Sequence, residues 1–468
     1  MTPGSTTVQT NPAEPPAAAT NDLGTADPGW AWARYEPSGA RPWGLALAAH
    51  LFRRAGFAAT WKELQKAQAL GPQAMVDEML REPEAYEAFA SELDAHESAA
   101  GRSGDPMVFA SWWLRRLRQS PWPLLEKLTL FWHGHFAIRP EGVAGLKLTH
   151  AHVQLLRKHA FGEFPVLLGA LANDPAMYAG LGGQQNRKAK PNLHFARPWL
   201  EVFTVGPEAC TSSAVTNLAR AWTGWFLYGD KLRFIEREHD QGPKRLLEHE
   251  GSLGRDDAVR LLANDPATAR NVAQRLFRAF VSESAIPPAS LLAPIAERVT
   301  KGSMLEVLDV ILRSNLFFSE HAFCQRIKSP VELVVGLMRS LEGGVPTSAF
   351  ARDLANLGQR LDAPPTVRGW ADGADWLNTI TLAGRIRLCE SLARGSEPYG
   401  AGLNPEKVAT ENGFHTPERQ ARFLVDLLLP GELADGAVAR LGEAAAASAK
   451  STKAVLETIL AQPEFQLN

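Results

Sequence analysis

The stretch WWLRRLRQSPWPLLEKLTLFWHGHF, residues Trp112–Phe136, is the segment around which the fold is predicted to form. It contains four of the 13 tryptophans and two of the 12 histidines of the chain. Two helix-length runs flank the Ser-Pro-Trp-Pro turn, and proline at such a position ends one helix and permits the next. The segment therefore predicts a pair of buried helices at the centre of the protein.

The composition is that of a globular protein. The chain has 468 residues, of which 45% are hydrophobic and 21% charged, so it is long enough for a large core. Its 49 Lys and Arg nearly balance 51 Asp and Glu, which gives no broad basic surface for nucleic acid, and none is expected as a partner. The three cysteines are scattered without a CxxC motif, which indicates neither a disulfide framework nor a thiolate zinc site.

The N-terminal segment, residues 1–28, is predicted to be a disordered Pro/Ala-rich tail, because it has too few apolar residues to offset the entropy of ordering. It lacks the basic and apolar regions of a secretory signal, so the default prediction is a cytoplasmic protein, with export by another route left open. No run of 18 apolar residues predicts a membrane span.

The remaining residues, 40–468, predict a single mainly α-helical domain with a loop-rich central region and at most a small β-hairpin. Apolar residues recur at spacings of three and four, whereas strand-like alternation is scarce. Thr60 and Glu63 stand in the register of a capping box that begins a helix after Gly56. The repeated segment Ala-Asn-Asp-Pro, before Pro175 and again before Pro266, is interpreted as a device that ends helices.

His133-Gly134-His135 is the strongest chemical signal. In a helix, positions i and i+2 point about 200° apart, so both rings reach one metal only if the helix ends at Gly134. A third ligand must come from elsewhere, and His239 or Asp240 is the predicted choice. The alternative is that both histidines are structural and hydrogen-bond to the backbone. A divalent metal ion is thus one hypothesis for this segment.

His239-Asp240-Gln241-Gly242-Pro243-Lys244 is a second candidate. The imidazole of His239, the carboxylate of Asp240 and the ammonium of Lys244 could supply a general base and an anion ligand. The same pattern is equally typical of a surface turn in which the aspartate caps its own backbone.

Residues 186–192, NRKAKPN, are a third candidate, with Arg197 and Glu201 following at helical i, i+4 spacing. The segment predicts either an anion-binding loop or a solvated basic turn next to a weak ion pair. Pro198 predicts that the helix begins near residue 198, so that the pair of Arg197 and Glu201 does not form.

Aromatic residues offer two interpretations: a ligand pocket lined by stacking rings, or a core whose indole N–H groups are hydrogen-bonded. The residues in question are Trp112, Trp113, Trp122, Trp132, Trp199, Trp222, Trp225, Trp370 and Trp376.

Short motifs in order along the chain resemble a bacterial family catalogued as domain of unknown function 1800. They include HLFRRAGFAAT, EKLTLFWHGHF, NRKAKPN, HDQGPK, KSPVELVVG and DWLNTITLAGR, and the similarity runs from about residue 43 to 467. The resemblance implies no assigned biochemistry. It implies, as context, frequent export and a sulfatase- or alkaline-phosphatase-like partner protein.

This chain departs from the family pattern at two positions. Leu193 and Pro198 stand where the family usually has acidic residues, which leaves open whether a site in the family is inactive here. The sequence predicts a scaffold or assembly factor for a partner enzyme. The alternative is an enzyme, or a binder of a small ligand or metal, whose pocket is built from the HGH, NRKAKPN and HDQGPK segments.

Overall fold

The computed structural model describes residues 23–24, 26–139, 142–344, 347–400, 402–432 and 452–468, and for residues 94–99 and 142–144 it describes the backbone. Most of the tail predicted for residues 1–28 lies outside these ranges. Leu23 is fully buried, and the first helix begins at Pro28. The division into a tail and one domain stays a prediction.

The described chain is mainly α-helical, as predicted. Its first half forms α1 (Pro28–Trp32), α2 (Leu45–Ala55), α3 (Trp61–Leu70), α4 (Pro72–Leu80), α5 (Tyr86–Ser103), α6 (Pro106–Gln119), α7 (Pro123–His135), α8 (Gly142–His159), α9 (Phe164–Ala172), α10 (Pro175–Gly180), α11 (Leu193–Glu201) and α12 (Ser212–Ala221). Its second half forms α13 (Arg255–Ala263), α14 (Pro266–Phe280), α15 (Ala289–Lys301), α16 (Met304–Arg313), α17 (Pro330–Ser340), α18 (Thr347–Asn356), α19 (Thr379–Arg394), α20 (Pro405–Glu411), α21 (Pro417–Leu428) and α22 (Thr452–Leu460). Among the described residues, no helix combines the length and apolar character that a bilayer crossing requires.

Two small antiparallel sheets follow α12, in the region predicted to be loop-rich. The strands are β1 (Trp225–Tyr228), β2 (Lys231–Phe234), β3 (Lys244–Leu246) and β4 (His249–Gly251). Strand β1 pairs with β2, and β3 pairs with β4. The structure thus has two hairpins where at most one was predicted, and α-helices still dominate the fold.

Helix α7 lies at the centre of the helical core, packed against α2, α4, α6 and α8. Its charged residues are buried as well as its apolar ones. Glu126 accepts hydrogen bonds from Arg116 at 2.8 Å and from Arg157 at 3.1 Å. Trp132 is fully buried, and its indole N–H donates to the carbonyl oxygen of Ala160 at 3.1 Å. The predicted central helix is therefore confirmed, and buried charges are paired as a low-dielectric interior requires.

Local sequence signals set several helix boundaries. The side chain of Thr60 accepts a hydrogen bond from the backbone N–H of Glu63, and the Glu63 carboxylate accepts one from the Thr60 N–H, so the capping box is confirmed. The two Ala-Asn-Asp-Pro segments separate α9 from α10 and α13 from α14. In each case the aspartate caps the following helix, whose first residue is the proline.

Most of the tryptophan rings belong to the core, but the prediction that their N–H groups are hydrogen-bonded is only partly correct. Trp122 donates to the carbonyl oxygen of Met79 at 3.0 Å. Of the nine tryptophans considered as candidates, four have a buried indole N–H without a protein acceptor within the described ranges: Trp112, Trp113, Trp199 and Trp222.

Candidate functional site

The two histidines of the HGH motif point to different neighbours, because α7 continues through Gly134 to His135. Nε2 of His133 lies 3.0 Å from the carbonyl oxygen of Leu361, and Nε2 of His135 lies 3.3 Å from that of Phe203. Burial, together with the nearby His152, lowers the pKa of His133 to about 3. Burial also lowers the pKa of His135 well below its ordinary value. Both rings are therefore neutral at physiological pH and tie α7 to two distant loops.

The HDQGPK segment forms a self-capped turn. Nδ1 of His239 lies 2.8 Å from the carbonyl oxygen of Thr223, and Asp240 accepts hydrogen bonds from Arg220 at 2.7 Å and from the Gly242 N–H at 2.9 Å. The ammonium of Lys244 donates to the Asp240 carbonyl oxygen. These contacts correspond to the alternative in which the aspartate caps its own backbone.

Helix α11 begins at Leu193 and runs through Pro198, so the predicted start near residue 198 is wrong. The reason is local: the side chain of Asn192 accepts a hydrogen bond from the His194 N–H and caps the helix earlier. The Arg197–Glu201 pair does form, with 3.6 Å between its charged groups.

The NRKAKPN segment immediately before α11 is a tight turn. The backbones of Arg187 and Lys190 pair across it. Asn186 is fully buried, and its side chain donates to the carbonyl oxygen of Ala219 at 2.9 Å. The segment is thus anchored by its asparagine, while Lys188 and Lys190 are exposed.

The three segments do not form one pocket. Among the described residues, no three His, Cys, Asp or Glu side chains are grouped as a metal site would require. His133, His135 and His239 each contact a different backbone carbonyl. Of the predicted candidates, His135 lines a large cavity, and Glu201 pairs with Arg368, which lines the same cavity.

This cavity has a volume of about 570 Å³ and lies between α7, α14 and the loop of residues 359–376, with the start of α17 at its floor. A volume of this size suits a small organic ligand. Its charged and aromatic lining residues are Lys127, Phe131, His135, Arg275, Arg278, Phe280, Glu283, Arg326, Glu332, Arg368, Trp370, Asp372, Asp375 and Trp376.

Three arginines form the cationic wall of the cavity. Arg278 donates to Asp372 at 2.8 Å, and Arg368 pairs with Glu201. Arg275 is half-buried, and no oxygen atom in the described part of the chain accepts a hydrogen bond from it. Burial lowers the pKa of Arg275, Asp372 opposes this shift, and the neighbouring Arg368 and Arg278 lower the pKa further. Arg275 is therefore a desolvated cation among like charges.

The floor of the cavity is electrically balanced. The ammonium of Lys127 pairs with the carboxylate of Glu332. The guanidinium of Arg326 lies 2.8 Å from Glu283 and 3.4 Å from Glu332. These buried groups neutralise one another, which leaves Arg275 on α14 as the wall cation without an ion pair among the described residues and the exposed Asp375 as a carboxylate lining the same cavity.

The sequence analysis identified some of the residues that line the cavity and missed others. Trp370 and Trp376 were singled out as candidates for stacking, and both line the cavity. Arg275 and Arg278 were missed, although their i, i+3 spacing on α14 places them on one helical face beside the apolar stripe. The loop of residues 359–376 forms another part of the cavity wall, and no local sequence pattern links this loop to α14.

Comparison with known proteins gives one match. No curated protein and no solved structure matches this chain significantly. A family model described as "Protein of unknown function (DUF1800)" matches residues 50–467, nearly the whole chain, and the protein therefore belongs to this family.

Proposed function

We propose that this protein binds a small organic anion in the cavity between α7, α14 and the loop of residues 359–376. The observation that carries the proposal is Arg275, a cavity-lining residue whose guanidinium makes no hydrogen bond or ion pair within the described ranges, with Asp372 acting on it only through its charge at longer range. A partly desolvated cation beside two further arginines is unfavourable unless an anion neutralises it. A bound carboxylate or other oxyanion would accept hydrogen bonds from this group.

The surroundings of Arg275 support a preformed site. Asp372 holds Arg278, and Glu201 holds Arg368, so neither guanidinium is free to turn away from the cavity. His135 also lines the cavity, and its buried Nδ1 has no protein partner within the described ranges. Because Nε2 of the neutral ring donates to the Phe203 carbonyl oxygen, Nδ1 carries no hydrogen and can only accept a hydrogen bond from a ligand N–H or O–H.

The test compares acids with their uncharged amides. Hexanoate and 2-naphthoate are titrated against the full-length protein by ligand-observed NMR, with hexanamide and 2-naphthamide as neutral probes. Loss of one charge-assisted hydrogen bond costs about 1.5–3 kcal/mol, so Arg275→Gln should weaken acid binding roughly 10- to 150-fold. The matched control is Arg270→Gln, on the exposed face of the same helix. Acids that bind no better than their amides, or bind Arg275→Gln equally well, would exclude the proposal.

A second candidate is an accessory or assembly role for a partner enzyme, and one observation favours it. The side chains of the three sequence-predicted segments act as separate ties: His133 and His135 of HGH, Asn186 of NRKAKPN and His239 of HDQGPK each contact a different backbone carbonyl. This is the arrangement expected of a scaffold. The test is to produce a sulfatase- or phosphatase-like partner with and without this chain and to compare the partner's soluble yield and activity. Equal yield and activity would argue against the role.

A further inference from the structure

The apolar part of the cavity wall is predominantly aromatic. Phe131, Phe280, Trp370 and Trp376 supply four rings, whereas Leu130 is the one large aliphatic side chain among the described lining residues. Aromatic rings interact favourably with other rings and with guanidinium groups through their π surfaces. A wall of this composition therefore discriminates between flat aromatic and bulky aliphatic ligands.

Trp370 is the most rigidly positioned of these rings. Its indole N–H donates to the carbonyl oxygen of Arg360 at 2.9 Å, and its ring packs against Gly134 of α7 and the imidazole of His133. A Cβ atom added at Gly134 would lie 3.5 Å from the Trp370 ring. The Trp370 ring thus packs against α7 at Gly134, where a Cβ atom would be in ordinary van der Waals contact with it.

Gly369 fixes the backbone that carries this ring. Its φ angle is +92°, and an added Cβ would lie 2.3 Å from the carbonyl oxygen of Gly134. A positive φ and so close a backbone approach are both properties of glycine. The two glycines therefore clamp the loop to α7 and hold Trp370 at the cavity wall beside Arg368.

We infer that the ligand is a planar aromatic acid, with its ring stacked on Trp370 and its carboxylate, or an equivalent oxyanion, on Arg275. This inference rests on the proposed anion-binding function and specifies its ligand class. An ordered indole is a stacking surface of low entropic cost, and Arg275 of α14, which lines the same cavity, supplies the complementary charge. Trp370 is thereby assigned as the residue that selects aromatic over aliphatic acids.

The experiment uses a matched pair of acids, 2-naphthoate and decahydro-2-naphthoate, which have the same carboxylate on a flat and on a saturated ring system. Binding of each to the full-length protein is measured by ligand-observed NMR. Stacking predicts that 2-naphthoate binds about 2- to 12-fold more tightly. The variant Trp370→Leu should lose this preference, Trp370→Phe should keep most of it, and Trp30→Leu, at an exposed tryptophan of α1, should leave it unchanged.

Each outcome has a distinct meaning. Equal binding of the two acids to the unmodified protein, with Arg275→Gln weakening both, overturns the aromatic ligand class and leaves the anion-binding function intact. A preference that persists in Trp370→Leu overturns the assignment of Trp370. Binding of neither acid overturns both proposals. If Trp370→Leu does not fold, Trp370→Met replaces it as the variant without a ring, and a preference that persists in Trp370→Met overturns the assignment of Trp370.

Discussion

Glu332 compensates two buried cations under the floor of the cavity, and its replacement tests that charge network directly. Its carboxylate pairs with Lys127, lies 3.4 Å from Arg326, and accepts a hydrogen bond from the Ser329 N–H at 2.7 Å. Lys127 and Ser329 are buried, Arg326 is half-buried, and Glu332 itself is 4% exposed. The change Glu332→Gln keeps one oxygen for the Ser329 N–H, removes the negative charge, and places an NH2 donor where Oε1 accepted from Lys127 and Arg326.

The expected decrease in the free energy of unfolding follows from the contacts that remain in Glu332→Gln. Arg326 still has Glu283 at 2.8 Å, so Lys127 is the cation that loses its compensation. Removing one member of a buried ion pair costs about 3–5 kcal/mol, because the other charge stays in a low-dielectric environment. Burial already lowers the pKa of Lys127 to about 8 with Glu332 present. We therefore expect Glu332→Gln to lower the free energy of unfolding by about 3–5 kcal/mol at pH 7.

The stability that the Glu332 carboxylate contributes is expected to decrease at low pH. Burial alone would raise the pKa of Glu332, but Lys127 and Arg326 lower it well below its ordinary range. A carboxylate with a depressed pKa in the folded state stabilises the fold above its unfolded pKa of about 4.3, and this contribution is lost as the pH falls below that value. The difference between the original protein and Glu332→Gln should therefore be full at pH 7 and shrink below about pH 4.

The measurement is urea-induced unfolding followed by tryptophan fluorescence at several pH values. Glu306→Gln is the matched control, because Glu306 has the same capping-box position on α16 but an exposed side chain. The double change Lys127→Met with Glu332→Gln should recover much of the lost stability. If Glu332→Gln and Glu306→Gln were equally stable at pH 7, the argument from buried charge would be refuted.

Four further substitutions test the core, the histidines and the cavity wall. Trp132→Ala should lower the free energy of unfolding by about 3–5 kcal/mol, because the ring is fully buried, and an unchanged denaturation midpoint would contradict this. His133→Ala and His239→Ala should each cost about 1–3 kcal/mol by leaving a carbonyl oxygen without its partner, with metal content by elemental analysis unchanged. Loss of bound metal in both folded variants would instead support the metal hypothesis. Gly369→Ala should fold with reduced 2-naphthoate affinity, because the new Cβ must displace the loop from Gly134, and NMR titration measures this effect.

Features that depend on neighbouring residues in the sequence could be predicted. The Thr60–Glu63 capping box and the aspartates before Pro175 and Pro266 act within one helical turn, and the structure confirms each. The central position of α7 also followed from its concentration of large apolar side chains. In all these cases the decisive interactions are local or depend on hydrophobicity alone.

Features that depend on contacts between distant parts of the chain could not be predicted from the sequence. A metal site at His133 and His135 required α7 to end at Gly134, but the helix continues to His135, and the loop that carries Gly369 packs on the Gly134 backbone. Pro198 suggested a helix start, but Asn192 caps α11 earlier. The cationic wall joins Arg275 of α14 to Arg368 of a later loop, and neither sequence neighbourhood contains a motif for the other.

Gly134 lies inside α7, and its backbone carbonyl is the surface against which the loop carrying Trp370 packs. A side chain at position 369 would collide with this carbonyl oxygen, whereas a Cβ atom at position 134 would be in ordinary contact with the Trp370 ring, 3.5 Å away. The histidines on either side then secure the same helix end to Leu361 and Phe203. His133, Gly134 and His135 thus act together to position one wall of the cavity. In the proposed complex, the ring of Trp370 on this wall stacks on the ligand, and Arg275 forms an ion pair with the ligand's carboxylate.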